Sequence, residues 1–139
     1  MTQPVHGTVI NCIDGRVQGV VTDFLRKRWN VEYVDVITEV APERVLAERT
    51  DSRVVARLRS HVLNSLKQQH SPRLALAAHN DCESNPVPED VQRGHLEAAI
   101  AWLATEFKQA EVIGLWIDPG GKVHEQARHS VDRSRAAKP

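Results

Sequence analysis

Three things are scarce or missing in this chain, and each narrows what it can be. Cysteine occurs twice in 139 residues, at Cys12 and Cys82, and a chain of this length buries one core without needing disulfides or a structural metal. Net charge is missing: Lys plus Arg and Asp plus Glu are both 18, so bulk electrostatics give no reason to bind nucleic acid or an anionic membrane. Long apolar runs are missing too. No stretch approaches the length of a membrane span, and the N-terminus lacks the charged, apolar and small-residue regions of a signal peptide. The expectation is a soluble, cytoplasmic protein with one domain over residues 1–126, followed by a flexible basic tail over 127–139 that carries Arg128, Arg133, Arg135 and Lys138. No nucleic-acid or membrane partner is expected. In a reducing compartment, two widely separated cysteines point to metal binding or catalysis rather than to a disulfide.

What is present is a pair of short motifs that uses both cysteines: Cys12-Ile13-Asp14-Gly15-Arg16 and His79-Asn80-Asp81-Cys82. Lone cysteines are usually small buried hydrophobes. Against that stands the coincidence of Asp and Arg at those offsets from one Cys and His three before the other, roughly a few in ten thousand at ordinary usage. Two thiolates and an imidazole are a ligand set suited to zinc.

Short β-branched runs alternate with longer helical stripes, the pattern of βαβ units around a parallel sheet. Strands are expected at about 7–13, 32–37, 74–78 and 112–117, all short and apolar as strands covered on both faces should be. Val17, Val20, Val21, Phe24 and Leu25 give one helix its apolar stripe, ending near Trp29 or Asn30. A second helix starts after the cap candidates Thr50 and Asp51, with Val54, Val55, Leu58, Val62 and Leu66 inward, and stops before Pro72. A third runs over about 89–108, with Leu96, Ala99, Ile100, Leu103 and Phe107 inward and Pro88 in its first turn. One or two further turns are expected within Pro42–Glu48. Asp118-Pro119-Gly120-Gly121 is a strong turn signal, after which 122–126 can return as a short antiparallel edge strand. The fold class is therefore α/β in three layers: a parallel four-stranded sheet of order 2-1-3-4 with helices on both faces.

That order decides where the motifs go. Right-handed crossovers place strands one and three side by side, and the crevice beyond their C-terminal ends is the topological switch point, where ligands bind in such sheets. Cys12 ends the first strand, and His79 and Cys82 follow the third. A Cys2His set leaves a fourth zinc position for water, whose pKa the metal lowers toward neutrality to yield a hydroxide nucleophile. Asp14 either fills that position or accepts a proton from the bound water. Arg16, always charged and able to grip a carboxylate through two donors, is a natural partner to hold Asp14 off the metal.

At these residues the chain resembles the β-class carbonic anhydrases, whose zinc is held by a Cys-x-Asp-x-Arg motif and a His-x-x-Cys motif. The resemblance covers about 8–126 and includes the order of elements. It implies Cys12, His79 and Cys82 as zinc ligands, Asp14 with Arg16 as the catalytic dyad that gates the fourth position, and a homodimer as the building unit. The implied activity is that of a zinc lyase, reversible hydration of carbon dioxide to bicarbonate and a proton. Related enzymes with the same metal site hydrolyse carbon disulfide or carbonyl sulfide. The chain reads Thr38-Glu39-Val40-Ala41 where family members carry Arg-Asn-Ala-Gly, and Glu83 where they place Gly. A blocked pocket at Glu39 or Glu83 would favour the alternative reading, a zinc-binding module of the same fold without carbon dioxide hydration.

Other readings are weaker. His6, His61, His70, His124 and His129 show no pairing at ligand spacing, while His95, on the third helix, is a candidate proton shuttle. Trp29, Trp102 and Trp116 read as core or interface residues. Glu39, Asp81 and Glu83 are acids near the site. A cysteine-phosphatase loop needs Arg six residues after its nucleophile, and position 18 is Gln. Gly15 and Gly19 form neither a dinucleotide fingerprint nor a P-loop. Cross-linking of Cys12 to Cys82 in the absence of metal is a minor redox alternative.

Overall fold

In the computed structural model, which describes residues 5–131, the elements run β1 (His6–Cys12), a 3₁₀ turn (Gly15–Val17), α1 (Gln18–Trp29), β2 (Tyr33–Glu39), α2 (Pro42–Glu48) and α3 (Ser52–Leu66). They continue with β3 (Arg73–His79), α4 (Glu89–Glu106), β4 (Glu111–Ile117) and β5 (Val123–His129). The sheet has the order β2-β1-β3-β4-β5, with β1 to β4 parallel and β5 antiparallel to β4. Among the described residues no helix is long and apolar enough to cross a membrane.

Period-two alternation along the strands builds two hydrophobic clusters. Ile10, Leu74, Leu76, Ala78, Val112 and Trp116 join side chains of α2, α3 and α4. Val9, Ala75, Ala77, Ile113, Leu115 and Ile117 join Val17 and the α1 residues Val21, Leu25 and Trp29. The two faces of the sheet are thus covered by different helices, as the crossovers out of β1 and β2 in opposite directions require. A leucine or isoleucine fully buried in either cluster contributes about 1.5–3 kcal/mol.

Local signals fix the helix ends. Asp51 accepts from the Arg53 and Val54 amides at the start of α3, satisfying donors that have no partner within the helix. Asn30 closes α1 in the left-handed region, φ 52°, with its amide on Arg26 O, a conformation asparagine tolerates. Gly7 is required by packing: a Cβ there would lie 2.4 Å from Trp29 Cε3.

Two expectations are corrected. β2 is not covered on both faces. It keeps the edge position that the expected order 2-1-3-4 gives it, and there Tyr33 and Val36 are exposed. The return strand is also longer than expected: β5 runs through His129 and pairs with β4 across an irregularity at Gly114/Leu115. Arg128 therefore sits in the sheet, 3.2 Å from Glu111, while Arg133, Arg135 and Lys138 lie outside the described residues.

The pairing is uneven. β1 pairs with β2 from His6 through Cys12, and β3 with β4 from Arg73 through His79, but β1 meets β3 only from Thr8 to Ile10 opposite Leu74 to Leu76. Beyond Ile10 the two central strands are no longer laddered, and there the motifs emerge.

Candidate metal centre

Cys12 is the last residue of β1, and the chain leaves the sheet under tight local control. Asn11 Oδ1 accepts from the Cys12 amide at 3.0 Å, and Gln18 Nε2 donates to Cys12 O at 2.6 Å and Asp14 O at 3.1 Å. His79 ends β3. The loop after it is anchored to β4, with the Asn80 amide 3.0 Å and Asn80 Nδ2 3.2 Å from Ile117 O. Asp81 turns through the left-handed region, φ 56°, and brings Cys82 back toward Cys12.

The switch point thereby assembles the expected ligand set. One ligand atom each from Cys12, His79 and Cys82 lies within 4.8 Å of the other two. All three residues are buried, and both thiols are free. Ala41 packs against the two cysteines. His79 Nδ1 is 2.8 Å from Asn80 O; a carbonyl can only accept, so Nδ1 carries a hydrogen and, in the neutral imidazole, Nε2 presents a bare lone pair. That atom is buried without a hydrogen-bond partner among the described residues. An orphaned buried acceptor is costly, and a histidine fixed through one nitrogen to a carbonyl with the other bare is arranged as metal-binding histidines are. The residues fit a thiophilic divalent metal such as zinc.

Asp14 lies beside this cluster, with Oδ2 4.0 Å from His79 Nε2. It is held by Arg16: Nη2 donates to Oδ2 at 2.6 Å, Nε to both oxygens at 3.1 Å, and the Arg16 amide to Oδ1 at 2.9 Å. These bonds from Arg16 hold the Asp14 carboxyl down to about 2, below its ordinary 3.8. Burial pushes the Cys82 thiol up to about 11, with Glu43 and Cys12 adding to the rise and the amides of Ser84 and Asn85 opposing it. Loading a metal must therefore displace a proton from Cys82.

The cluster opens into a cleft of about 460 Å³ lined by Ile13, Asp14, Arg16, Asp81 and Glu83 among others. Asp81 and Glu83 belong to its wall, as the sequence suggested. Glu39 does not: it accepts from Arg57 and from its own neighbour's amide, Val40 N, at 3.1 Å. His95 is absent from that wall as well. It meets Asn85 instead, Nδ1 to Nδ2 3.1 Å.

Three contributors escaped the sequence reading. Gln92, buried on α4, donates to His79 O at 2.6 Å and accepts from Trp116 Nε1 at 3.0 Å. Asn85, buried, places its amide on Cys82 O at 3.1 Å. Glu43, 1 % exposed, faces Asn85 Nδ2 at 3.5 Å. A faint signal existed for Gln92, four residues before Leu96 on the inward stripe of α4, where a polar residue must find buried partners.

A family model described as "Putative carbonic anhydrase" matches residues 2–127. No curated protein matches the chain significantly.

Proposed function

The chain belongs to this carbonic-anhydrase-like family, and on that premise we propose that it is a zinc-dependent lyase that interconverts carbon dioxide and bicarbonate. Cys12, His79 and Cys82 would hold the metal. The observation that carries the reading is a buried His79, its Nε2 unpartnered among the described residues, clustered with two free thiols while Asp14 is turned onto Arg16. With Asp14 engaged elsewhere, a tetrahedral ion keeps one position for water or substrate. When bound, zinc supplies the Lewis acidity that brings a water molecule's pKa toward neutrality.

The chain's own residues do the rest. Arg16 fixes the Asp14 carboxylate as an acceptor beside His79, where it orients a hydroxyl through one hydrogen bond. With a pKa of about 2, Asp14 does not keep a proton near neutral pH, so it positions rather than stores, and the proton leaves through the open cleft. Ile13, 60 % exposed at the rim, offers an apolar wall to an apolar substrate. Glu39 is turned away to Arg57, and Glu83 lines the cleft without filling it, which favours a working site over a binding module. A homodimer and a cytoplasmic location complete the proposal.

Metal analysis of purified protein together with stopped-flow carbon dioxide hydration near pH 7 and pH 8.5 tests it. One zinc per chain and a rate above background are expected, with Asp14→Ala slower by about tenfold to a hundredfold. Protein that carries zinc but gives no rate at either pH would overturn the assigned activity.

A further inference from the structure

The cleft over the ligand atoms is lopsided in charge although the chain as a whole is balanced at 18 of each sign. Among the described residues its wall holds three acids, Asp14, Asp81 and Glu83, and one permanent cation, Arg16. Arg16 is already engaged: besides its grip on Asp14, Nη1 reaches Asp81 Oδ2 at 3.3 Å and Nη2 reaches Asp81 O at 3.3 Å. The adjoining depression beyond Cys82 is walled by Asp81 and Glu83 again, with Asn85, Pro86, Val87 and Gln92 and, among the described residues, no basic one. Two exposed acids alone would mean nothing. Here they line the same cleft as His79, 3 % exposed, whose Nε2 has no hydrogen-bond partner among the described residues, which marks the floor of that cleft as a place for a ligand atom.

We infer that Asp81 and Glu83 act as a charge filter over the metal position, admitting uncharged small molecules and holding off anions. The inference rests on reading the site as a metal centre. An uncharged electrophile feels no net force from the two carboxylates, whereas an anion approaching the floor meets both, with the Arg16 guanidinium committed to Asp14 and Asp81. Repulsion of this kind slows entry and hastens departure of an anion, and it fades as salt shortens the screening length. For the proposed reaction the filter cannot alter the equilibrium between carbon dioxide and bicarbonate. It lowers the occupancy of the site by the anionic partner and by competing anions.

The test uses the full chain loaded with cobalt(II), whose visible absorption reports ligand exchange independently of turnover. Thiocyanate is titrated as the anion and 1,2,4-triazole as the uncharged ligand, at ionic strengths of about 0.02 M and about 0.5 M. Asp81→Asn keeps an acceptor for Arg16 and suits the left-handed backbone at that position; Glu83→Gln keeps the shape of the exposed side chain. At low salt thiocyanate should bind each single variant about threefold more tightly than wild type and the double variant about tenfold more tightly. The gain should shrink to within about twofold at high salt, and triazole affinity should not move. Equal thiocyanate affinities in all four proteins would overturn the filter, and so would an equal gain for triazole, which would mean that the acids act by bulk. If wild type binds no cobalt or zinc, the metal-centre reading falls and takes the inference with it; cobalt bound with unchanged anion affinity sinks the inference alone.

Discussion

Glu43 is a carboxyl group 1 % exposed, with no cation beside it among the described residues. Burial raises it from its ordinary 4.5 to about 7, with its own backbone amide and Asn85 pulling weakly the other way. A raised folded-state pKa means the native chain holds the proton more tightly than the unfolded chain. Its contribution to stability is fully present below about 4.5 and is lost as pH rises through about 7. Denaturant melts of chelated, metal-free protein should therefore show wild type losing on the order of 2–3 kcal/mol relative to Glu43→Gln between pH 5 and pH 8. Parallel pH profiles for the two proteins would refute this. At this scale the candidate site was legible because Cys, His, Asp and Arg advertise their chemistry wherever they stand. Glu43 was not. The run Pro42-Glu43-Arg44 reads as the solvated start of a short helix, and only its i+3 relation to buried Leu46 hints that it points inward.

Among the elements, the helices were easiest to anticipate. Asp51 begins α3 as a capping residue should, α1 ends at Trp29, and the six residues after Leu66 bring the chain to Pro72 and into β3. Strand exposure was harder, because a run such as Val34-Asp35-Val36-Ile37 has the same composition whether its faces are covered or open. Position in the sheet is set by the handedness of crossovers elsewhere in the chain, not by the strand's own residues. Interlocking between elements also leaves little trace in a single sequence: nothing in His6-Gly7-Thr8 announces that Trp29, at the far end of α1, lies against Gly7. Gly7→Ala puts a methyl group into that ring and should cost about 1–3 kcal/mol, read as a lower urea midpoint at unchanged slope. A neutral result would mean that α1 shifts freely on the sheet.

For the molecule as a whole, the order β2-β1-β3-β4 was derivable from two rules about handedness, and it alone explains how residues 12 and 79 come to share a site. The registers were beyond reach, and the most consequential is the short ladder between β1 and β3. Three rungs, Thr8 to Ile10 against Leu74 to Leu76, join a two-stranded leaf to a three-stranded one. Cys12 belongs to the first leaf; His79 and Cys82 belong to the second. An ion gripped by all three is a clasp on an open seam, so the same bonds that would serve chemistry would also decide how firmly the leaves close. Stripping the metal should speed amide exchange at residues 10–12 and 77–79 by about tenfold or more while leaving the helix interior of α4 unchanged. Uniform protection with and without metal would mean that the seam holds by packing alone. If it does not, the protein's breathing and its reactivity are set at one place, and metal supply governs both.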